Sequence, residues 1–273
     1  MTSGAARRRP AAVIALLSDF GTVDPFVGVM KGVILGRSPD VAIVDLTHAI
    51  PPQGIAEGAF WLERCARWFP KGTVFVAVVD PGVGTARRPL VVDACSMMFV
   101  GPDNGLLAPA LCDATRRAYR IDAEKLRLPE PSRTFHGRDV FAPVAAELAA
   151  GRIEPADVGD LVHDLVPTPL PSAVCSADHV EGTVVTIDRF GNLITNVGAE
   201  LLGSFEHVHV EIGALELKLV ATYGDVTSGD YAALVNSFGT VEVARRDGDA
   251  SAGLGVERGA RVVVRSSAPR PRN

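Results

Sequence analysis

Three runs in the first half of the chain, VIALLS, VAIVDLT and TVFVAVVD, are apolar, rich in β-branched residues and continuous rather than alternating, with Asp45 the one charge inside a run. A strand with one wet face alternates, whereas a strand covered on both faces does not, so these runs predict a parallel sheet buried between two layers. Between them lie two stretches with apolar positions three and four apart. One is DPFVGVMKGVILGR, where Pro25 is tolerated in the first turn; the other is GIAEGAFWLERCARWF, which ends before Pro70. Strand and helix in alternation predict an α/β domain with a mostly parallel, doubly wound sheet. A further strand near MMFVGPD and a helix in DVFAPVAAELAA complete this half.

The pattern changes after LVPTPLPSAV, where Pro167, Pro169 and Pro171 mark a linker. Beyond it come short alternating segments, EGTVVTI, HVHVEI, LELKLV, TVEVARR and ARVVVR, separated by Gly and Asp turns. These predict an all-β module, a sandwich or a barrel, of which the barrel-like form is the expectation. The expected organisation is a tail over 1–11, an α/β domain over 12–165, a Pro-rich linker over 166–174, a β domain over 175–267 and a tail over 268–273.

Composition narrows the partners. Of 273 residues, 47% are hydrophobic and 22% charged, with a formal net charge of −5, which supports a sizeable core and offers no general attraction to nucleic acid or an anionic membrane. No stretch reaches the ~18 apolar residues of a membrane helix. Arg7, Arg8 and Arg9 before AAVIALL imitate a secretory signal, but no A-x-A site follows and the carboxylate of SDFG arrives at once. Cys65, Cys95, Cys112 and Cys175 are scattered without a C-x-x-C pair, so the expectation is mostly buried, reduced thiols in a cytoplasmic protein.

Ligands of open α/β sheets sit beyond the carboxyl ends of the strands, where Asp19, Asp45 and Asp80 each end an apolar run. A strand-end aspartate is by itself often a cap or turn residue, the reading Asp45 takes. Asp19 and Asp80 carry more weight because Gly-rich turns follow them and bring backbone close to a ligand. The loop PGVGTARRPL lacks both the G-K-[ST] of a P-loop and the G-x-G-x-x-G of a dinucleotide turn. In TFHGRDVFAP, His136 precedes a helix; a lone histidine there is more often structural than chemical. His207 and His209 in HVHV lack a carboxylate-rich neighbourhood and are read as exposed strand residues rather than metal ligands.

Six segments occur in a fixed order: SDFGTVDPFVGVMKG, DLTHAIPPQGIAEGAFWL, VVDPGVGTARRPL, GPDNGLL, TFHGRDVFAP and DRFGNLITN. Together they resemble the S-adenosyl-L-methionine hydroxide adenosyltransferase family, relatives of the fluorinase and chlorinase enzymes, over nearly the whole chain. The resemblance implies hydrolysis of S-adenosyl-L-methionine to adenosine and L-methionine by attack of water at ribose C5′. It implies an Asp, Arg, His set at Asp80, Arg87 and His136, with Arg87 favoured over the adjacent Arg88, for which a solvated surface charge is the alternative. It further implies that Asp19 grips the ribose hydroxyls, that Asp24 and Asp188 lie near the methionine ammonium, that Phe190 and Asn192 contact adenine, that Tyr223 supplies a second aromatic and that Ser237 meets the methionine carboxylate. No metal and no cofactor are expected, since the sulfonium already makes methionine a good leaving group. Relatives are trimers with the ligand between one subunit's N-terminal domain and the next subunit's C-terminal domain, which implies a homotrimer here.

The departures bear on the nucleophile. Where a fluorinase lines its halide site with tyrosine and threonine, this chain has Asp80 and Val83, and the inserted halogenase loop is missing because LVVDACSMMFVGPDNG follows the arginines directly. Phe238 replaces an arginine next to Ser237. The competing readings are a chlorinase-like halogenase, a non-catalytic adenosine or S-adenosyl-L-methionine sensor, and a metal-dependent phosphoesterase built on Asp19, Asp80 and His136.

Overall fold

The computed structural model of the protein describes residues 13–107, 114–203 and 205–266. The expected tails over 1–11 and 268–273, the Arg7 to Arg9 cluster and Cys112 lie outside the described residues. The chain divides into two compact units, Met1–Pro169 and Leu170–Asn273. Among the described residues no helix is long and apolar enough to cross a membrane.

The first unit is a seven-stranded sheet in the order β2-β1-β3-β5-β4-β6-β7. β1 (Val13–Ser18), β2 (Ala42–Thr47), β3 (Val74–Val78) and β5 (Met97–Pro102) pair in parallel; β4 (Pro89–Ala94), β6 (Arg117–Arg120) and β7 (Leu161–Val162) extend the sheet antiparallel. The change of sense is local: Cys95 and Ser96 both have positive φ and close a two-residue turn between β4 and β5. Alternation along β1 splits the core. Ile14 and Leu16 face α1 (Phe26–Arg37) and α3 (Ala142–Ala149), whereas Ala15 and Leu17 join Leu62 of α2 (Ile55–Ala66) on the other face. With helices on both faces the sheet is doubly wound, and the strand order reverses between β1 and β3, the point at which such sheets open a crevice. Asp19 follows β1, and Asp80 lies two residues past β3.

The second unit is a closed barrel. Its strands run β10 (Leu193–Gly198), β14 (Thr240–Arg245), β13 (Tyr231–Val235), β12 (Leu215–Val220), β11 (Val208–Ile212), β15 (Arg261–Ser266) and β9 (His179–Ile187), and β9 pairs back with β10; β8 (Val174–Cys175) adds to β9 outside the ring. Val180, Val184, Val241, Val243, Val262 and Val264 fill the interior. β12 and β13 pair in parallel, so the chain between them must cross over instead of making a tight hairpin, and Tyr223 lies on that crossover.

The expectation of mostly buried thiols is corrected: Cys65 is partly buried, but Cys95 and Cys175 are exposed. Cys95 occupies the turn between β4 and β5 and Cys175 ends the short outer strand β8, places where a side chain has little to pack against.

Candidate active site

The ion pair at the end of β3 answers why a buried strand ends in a carboxylate. Arg87 Nε donates to Asp80 Oδ1 at 3.0 Å and Nη2 donates to Oδ2, a bidentate match of planar groups. The side chains are only 5% (Asp80) and 9% (Arg87) exposed, so solvent screens this pair little. On its other side the guanidinium lies over the Phe141 ring, 5.3 Å from the centroid, and Nη2 also donates to His136 Nδ1 at 2.8 Å. Since Arg87 is always a donor, Nδ1 accepts and the imidazole hydrogen resides on Nε2. Burial, then the Arg87 charge, push His136 below its usual value, against the opposing pull of Asp80, Asp139 and the Ser132 backbone, so the ring favours the neutral form. One donor is left over: Arg87 Nη1 is buried without a hydrogen-bond partner among the described residues.

Arg88, next in sequence, points elsewhere. Its Nε donates to Asp103 Oδ2 at 2.7 Å and its Nη1 to Asp164 Oδ1 at 2.9 Å, which corrects the reading of a solvated surface charge. Asp103, within GPDNGLL, also accepts from the Val166 amide at 3.0 Å.

Two loops must meet to form this arrangement. Gly84 has φ +75, and a Cβ there would collide with the Arg133 carbonyl, so the loop after β3 lies directly on the segment that leads to His136. His136 precedes a five-residue π turn, Gly137–Phe141, that runs into α3; such turns recur at functional sites. Asp139 in that turn accepts from the Ser132 amide at 2.9 Å and pairs with Arg138, whose hydrogen bond holds the carboxyl at about 2. Phe135 meets Phe20 and Phe26 with centroids 5.9 and 5.3 Å away, and Phe20 and Phe26 are 5.7 Å apart. This aromatic trio sets the loop of Asp19 beside that of His136.

Asp19 Oδ2 accepts from the Gln53 amide at 2.8 Å, and Gln53 has a φ of 64. Beneath it runs a chain that sequence reasoning left without a role: Ser18 Oγ to His48 Nδ1 at 2.7 Å, His48 Nε2 to Asp45 Oδ1 at 3.0 Å, and Lys31 Nζ to Asp45 Oδ2 at 2.6 Å. Ser18 and His48 are buried. This is a tie between the ends of β1 and β2 that fixes the base of the Asp19 loop, and Asp45 is thus more than a turn residue. Asp24 is exposed in the turn before α1.

In the second unit, Asp188 folds the turn between β9 and β10 around its own carboxylate. Oδ1 accepts from the amides of Phe190 at 2.8 Å and Asn192 at 3.0 Å, and Oδ2 accepts from Asn192 Nδ2 at 3.0 Å. With Nδ2 committed, Asn192 has its carbonyl oxygen to offer a ligand. Phe190 is 74% exposed; so large an apolar side chain in water on a well-fixed turn is a ready stacking surface. Tyr223 is 43% exposed, yet its hydroxyl donates at 2.6 Å to Glu242. Ser237 is exposed on the turn between β13 and β14. Glu242 is a further buried polar residue that the sequence did not single out. His209 pairs with Glu216 at 3.2 Å, and among the described residues no group of three or more His, Cys, Asp or Glu side chains is arranged to hold a metal ion.

Comparison with known proteins places these residues in a family context. Residues 14–159 match the SAM hydroxide adenosyltransferase N-terminal domain and 182–263 the C-terminal domain. The chain is 42% identical over 254 residues to an (R)-S-adenosyl-L-methionine hydrolase of Thermus thermophilus, covering 90% of this chain and 96% of that one. It is 32% identical over 271 residues to a fluorinase of Actinoplanes sp., covering 85% and 90% respectively. A crystal structure of an uncharacterized conserved protein from Thermotoga maritima superposes with a TM-score of 0.85 at 35% identity, over 92% of this chain and 99% of that one.

The close approach at Gly84 is open to measurement. Gly72, at φ +87, has nothing within 4 Å of an added Cβ, so Gly72→Ala tests backbone strain alone. That variant is expected to cost about 1–2 kcal/mol in urea denaturation. Gly84→Ala adds a collision with the Arg133 carbonyl and is expected to cost a further ~1–3 kcal/mol. Equal losses would mean that the two loops are not pressed together.

Proposed function

The chain belongs to the SAM hydroxide adenosyltransferase family, and from that membership we propose that it hydrolyses S-adenosyl-L-methionine to adenosine and L-methionine through a water activated at Asp80, Arg87 and His136. The observation that carries the assignment is the convergence of the Asp80 carboxylate, the Arg87 guanidinium bound to it through two nitrogens, and a neutral His136 on the same Nη2. A water on the open side of the Asp80 carboxylate gives its hydrogen to Asp80, and the Nε2 hydrogen of His136 can be given to the water oxygen. Arg87 favours the hydroxide-like form, and His136 holds the guanidinium from the far side.

The O–C5′ bond forms as the C5′–S bond breaks. The electron pair leaves with sulfur as a neutral thioether, and the proton passes through Asp80 to solvent. Opposite charges approach and cancel along this path, so a buried pair of low exposure suits it better than open water. The leaving group needs no metal or cofactor.

Recognition falls to the remaining residues. Asp19 accepts from the ribose hydroxyls, Phe190 and Tyr223 pack on the base, Asn192 offers its carbonyl oxygen to the exocyclic amine, and Asp24, Asp188 and Ser237 meet the amino-acid end. The ligand lies between the first unit of one copy and the second unit of the next, in a homotrimer. The surface of α1 supports self-association: Gly28, Val29, Gly32, Leu35 and Gly36 are exposed on the side opposite Val27, Met30 and Ile34, and a Cβ at any of the three glycines would meet nothing. A helix apolar on both sides has a partner for each. A cytoplasmic setting fits the free thiols of Cys65 and Cys175.

Asp80→Asn is expected to lower turnover by about 10²–10⁴ while leaving adenosine affinity nearly unchanged, since the lost group acts on the nucleophile. Turnover at the wild-type rate would remove Asp80 from the reaction.

Asp80 also argues against a halide. At ~3–4 Å a carboxylate and chloride repel by about 1 kcal/mol even in water, and by more in a closed site. In ¹⁸O-labelled water with abundant chloride, the label is expected at the 5′ oxygen of adenosine. A 5′-chloro nucleoside as main product would establish the halogenase reading, and binding without any product would establish the sensor.

Gly32→Arg, which places a charge on the exposed side of α1, is expected to yield folded monomers by light scattering with little residual turnover. A variant that stayed trimeric and fully active would take α1 out of the interface.

A further inference from the structure

Glu242 lies mid-way along β14 between Val241 and Val243, whose side chains fill the barrel. Alternation turns Glu242 to the outer face, where a glutamate ordinarily meets water, yet it is 3% exposed. Two segments cover it. Tyr223, on the crossover between β12 and β13, donates its hydroxyl to Oε1 at 2.6 Å, and Asn236, just past β13, donates Nδ2 to Oε2 at 3.2 Å. Each carboxyl oxygen thus has a donor; burial, with the Asp188 charge, still raises the Glu242 carboxyl above its usual range against the pull of the Tyr223 and Asn236 hydrogen bonds.

Each partner belongs to a different part of the proposed substrate surface. The Tyr223 ring is held at its tip while much of the ring stays in water, which presents a face at fixed height. The other end of Asn236 organises the next turn: Oδ1 accepts from the Phe238 amide at 3.0 Å and from the Thr240 amide and hydroxyl, each at 3.2 Å. Ser237 is displayed on that turn. Withdrawing a carboxylate from water is unfavourable, and the two hydrogen bonds offset part of that penalty. Burial, hydrogen bonding to Glu242 and the charges of Glu242 and Asp188 all push the Tyr223 phenol up.

We propose that Glu242 is a positioning residue for S-adenosyl-L-methionine: it fixes the Tyr223 ring against the base and, through Asn236, the Ser237 turn against the amino-acid end. One buried carboxylate thereby sets the spacing between two contacts at opposite ends of the ligand. Glu242 touches neither end itself. The inference rests on the reading of Tyr223 and Ser237 as substrate contacts.

The test compares wild type, Glu242→Gln, Tyr223→Phe and the double variant. The chain has three tyrosines, so subtracting the Tyr223→Phe curve from an ultraviolet titration isolates the Tyr223 phenol. In Glu242→Gln that phenol is expected to titrate at lower pH than in wild type, KM for S-adenosyl-L-methionine and Kd for adenosine are expected to rise about tenfold, and kcat is expected to fall by less than KM rises. Adding Tyr223→Phe to Glu242→Gln is expected to weaken adenosine binding less than it does in wild type, because the two changes remove one interaction. Unchanged KM in Glu242→Gln, with wild type binding normally, overturns the proposal and leaves the hydrolase reading intact. A wild-type protein that bound neither adenosine nor S-adenosyl-L-methionine would overturn that reading and this inference together. Glu242→Gln keeps size and an acceptor, so the comparison does not depend on a truncation that unfolds the barrel.

Discussion

A guanidinium taken out of water must have each of its hydrogens met, and Arg87 organises the first unit on that condition. Breaking such a pair by removing one member costs about 3–5 kcal/mol, because a charge is left buried alone. The surroundings of Arg87 follow from this. The Asp80 carboxylate takes two donors, the ring of Phe141 covers one face, and His136 must stay neutral to accept from Nη2. His136 can reach that position only because Gly84 lets one loop lie on the backbone of another. Nη1 is buried without a hydrogen-bond partner among the described residues, the one part of the group left unmet.

Much of this was legible in the sequence. Apolar runs gave away β1 and β3, which are covered on both faces, whereas VAIVDLT forms the edge strand β2 and is largely exposed, because it has a neighbour on one side only. Carboxylates ending the first and third runs marked the crevice between β1 and β3. Asp80, Arg87 and His136, named from motif order, converge within hydrogen-bond distance. The antiparallel side of the sheet was harder to see, because the turn that reverses it is made by Cys95 and Ser96 instead of the Asn-Gly or Gly-Gly pair that usually announces such a turn. Nor does spacing along one strand distinguish a wet glutamate from a roofed one. Glu242 sits where TVEVARR puts a polar residue, and its burial comes from Tyr223 and Asn236, which sequence alone does not bring over it. His48 stood in plain view in DLTHAI, but its partners Ser18 and Asp45 belong to two different strands.

The two units solve different problems. The first concentrates charge out of water, in a bidentate pair against a neutral ring, and is suited to altering the reactivity of one small molecule. The second uses a closed barrel as a rigid mount for exposed groups, Phe190, Tyr223 and Ser237, each on a connection between strands. A barrel with no free seam holds such connections at constant separation.

The turn that bears Phe190 and Asn192 also joins the two strands whose pairing closes the barrel. Within it, Asp188 holds two backbone amides and the Asn192 side chain, whereas the Phe190 side chain contributes almost nothing to closure. The turn is therefore unequally free to drift in evolution. A lineage can exchange the ring at 190 at little risk to folding, because it lies mostly in water and closes no strand pair, whereas a change at 188 frees the turn on which barrel closure depends.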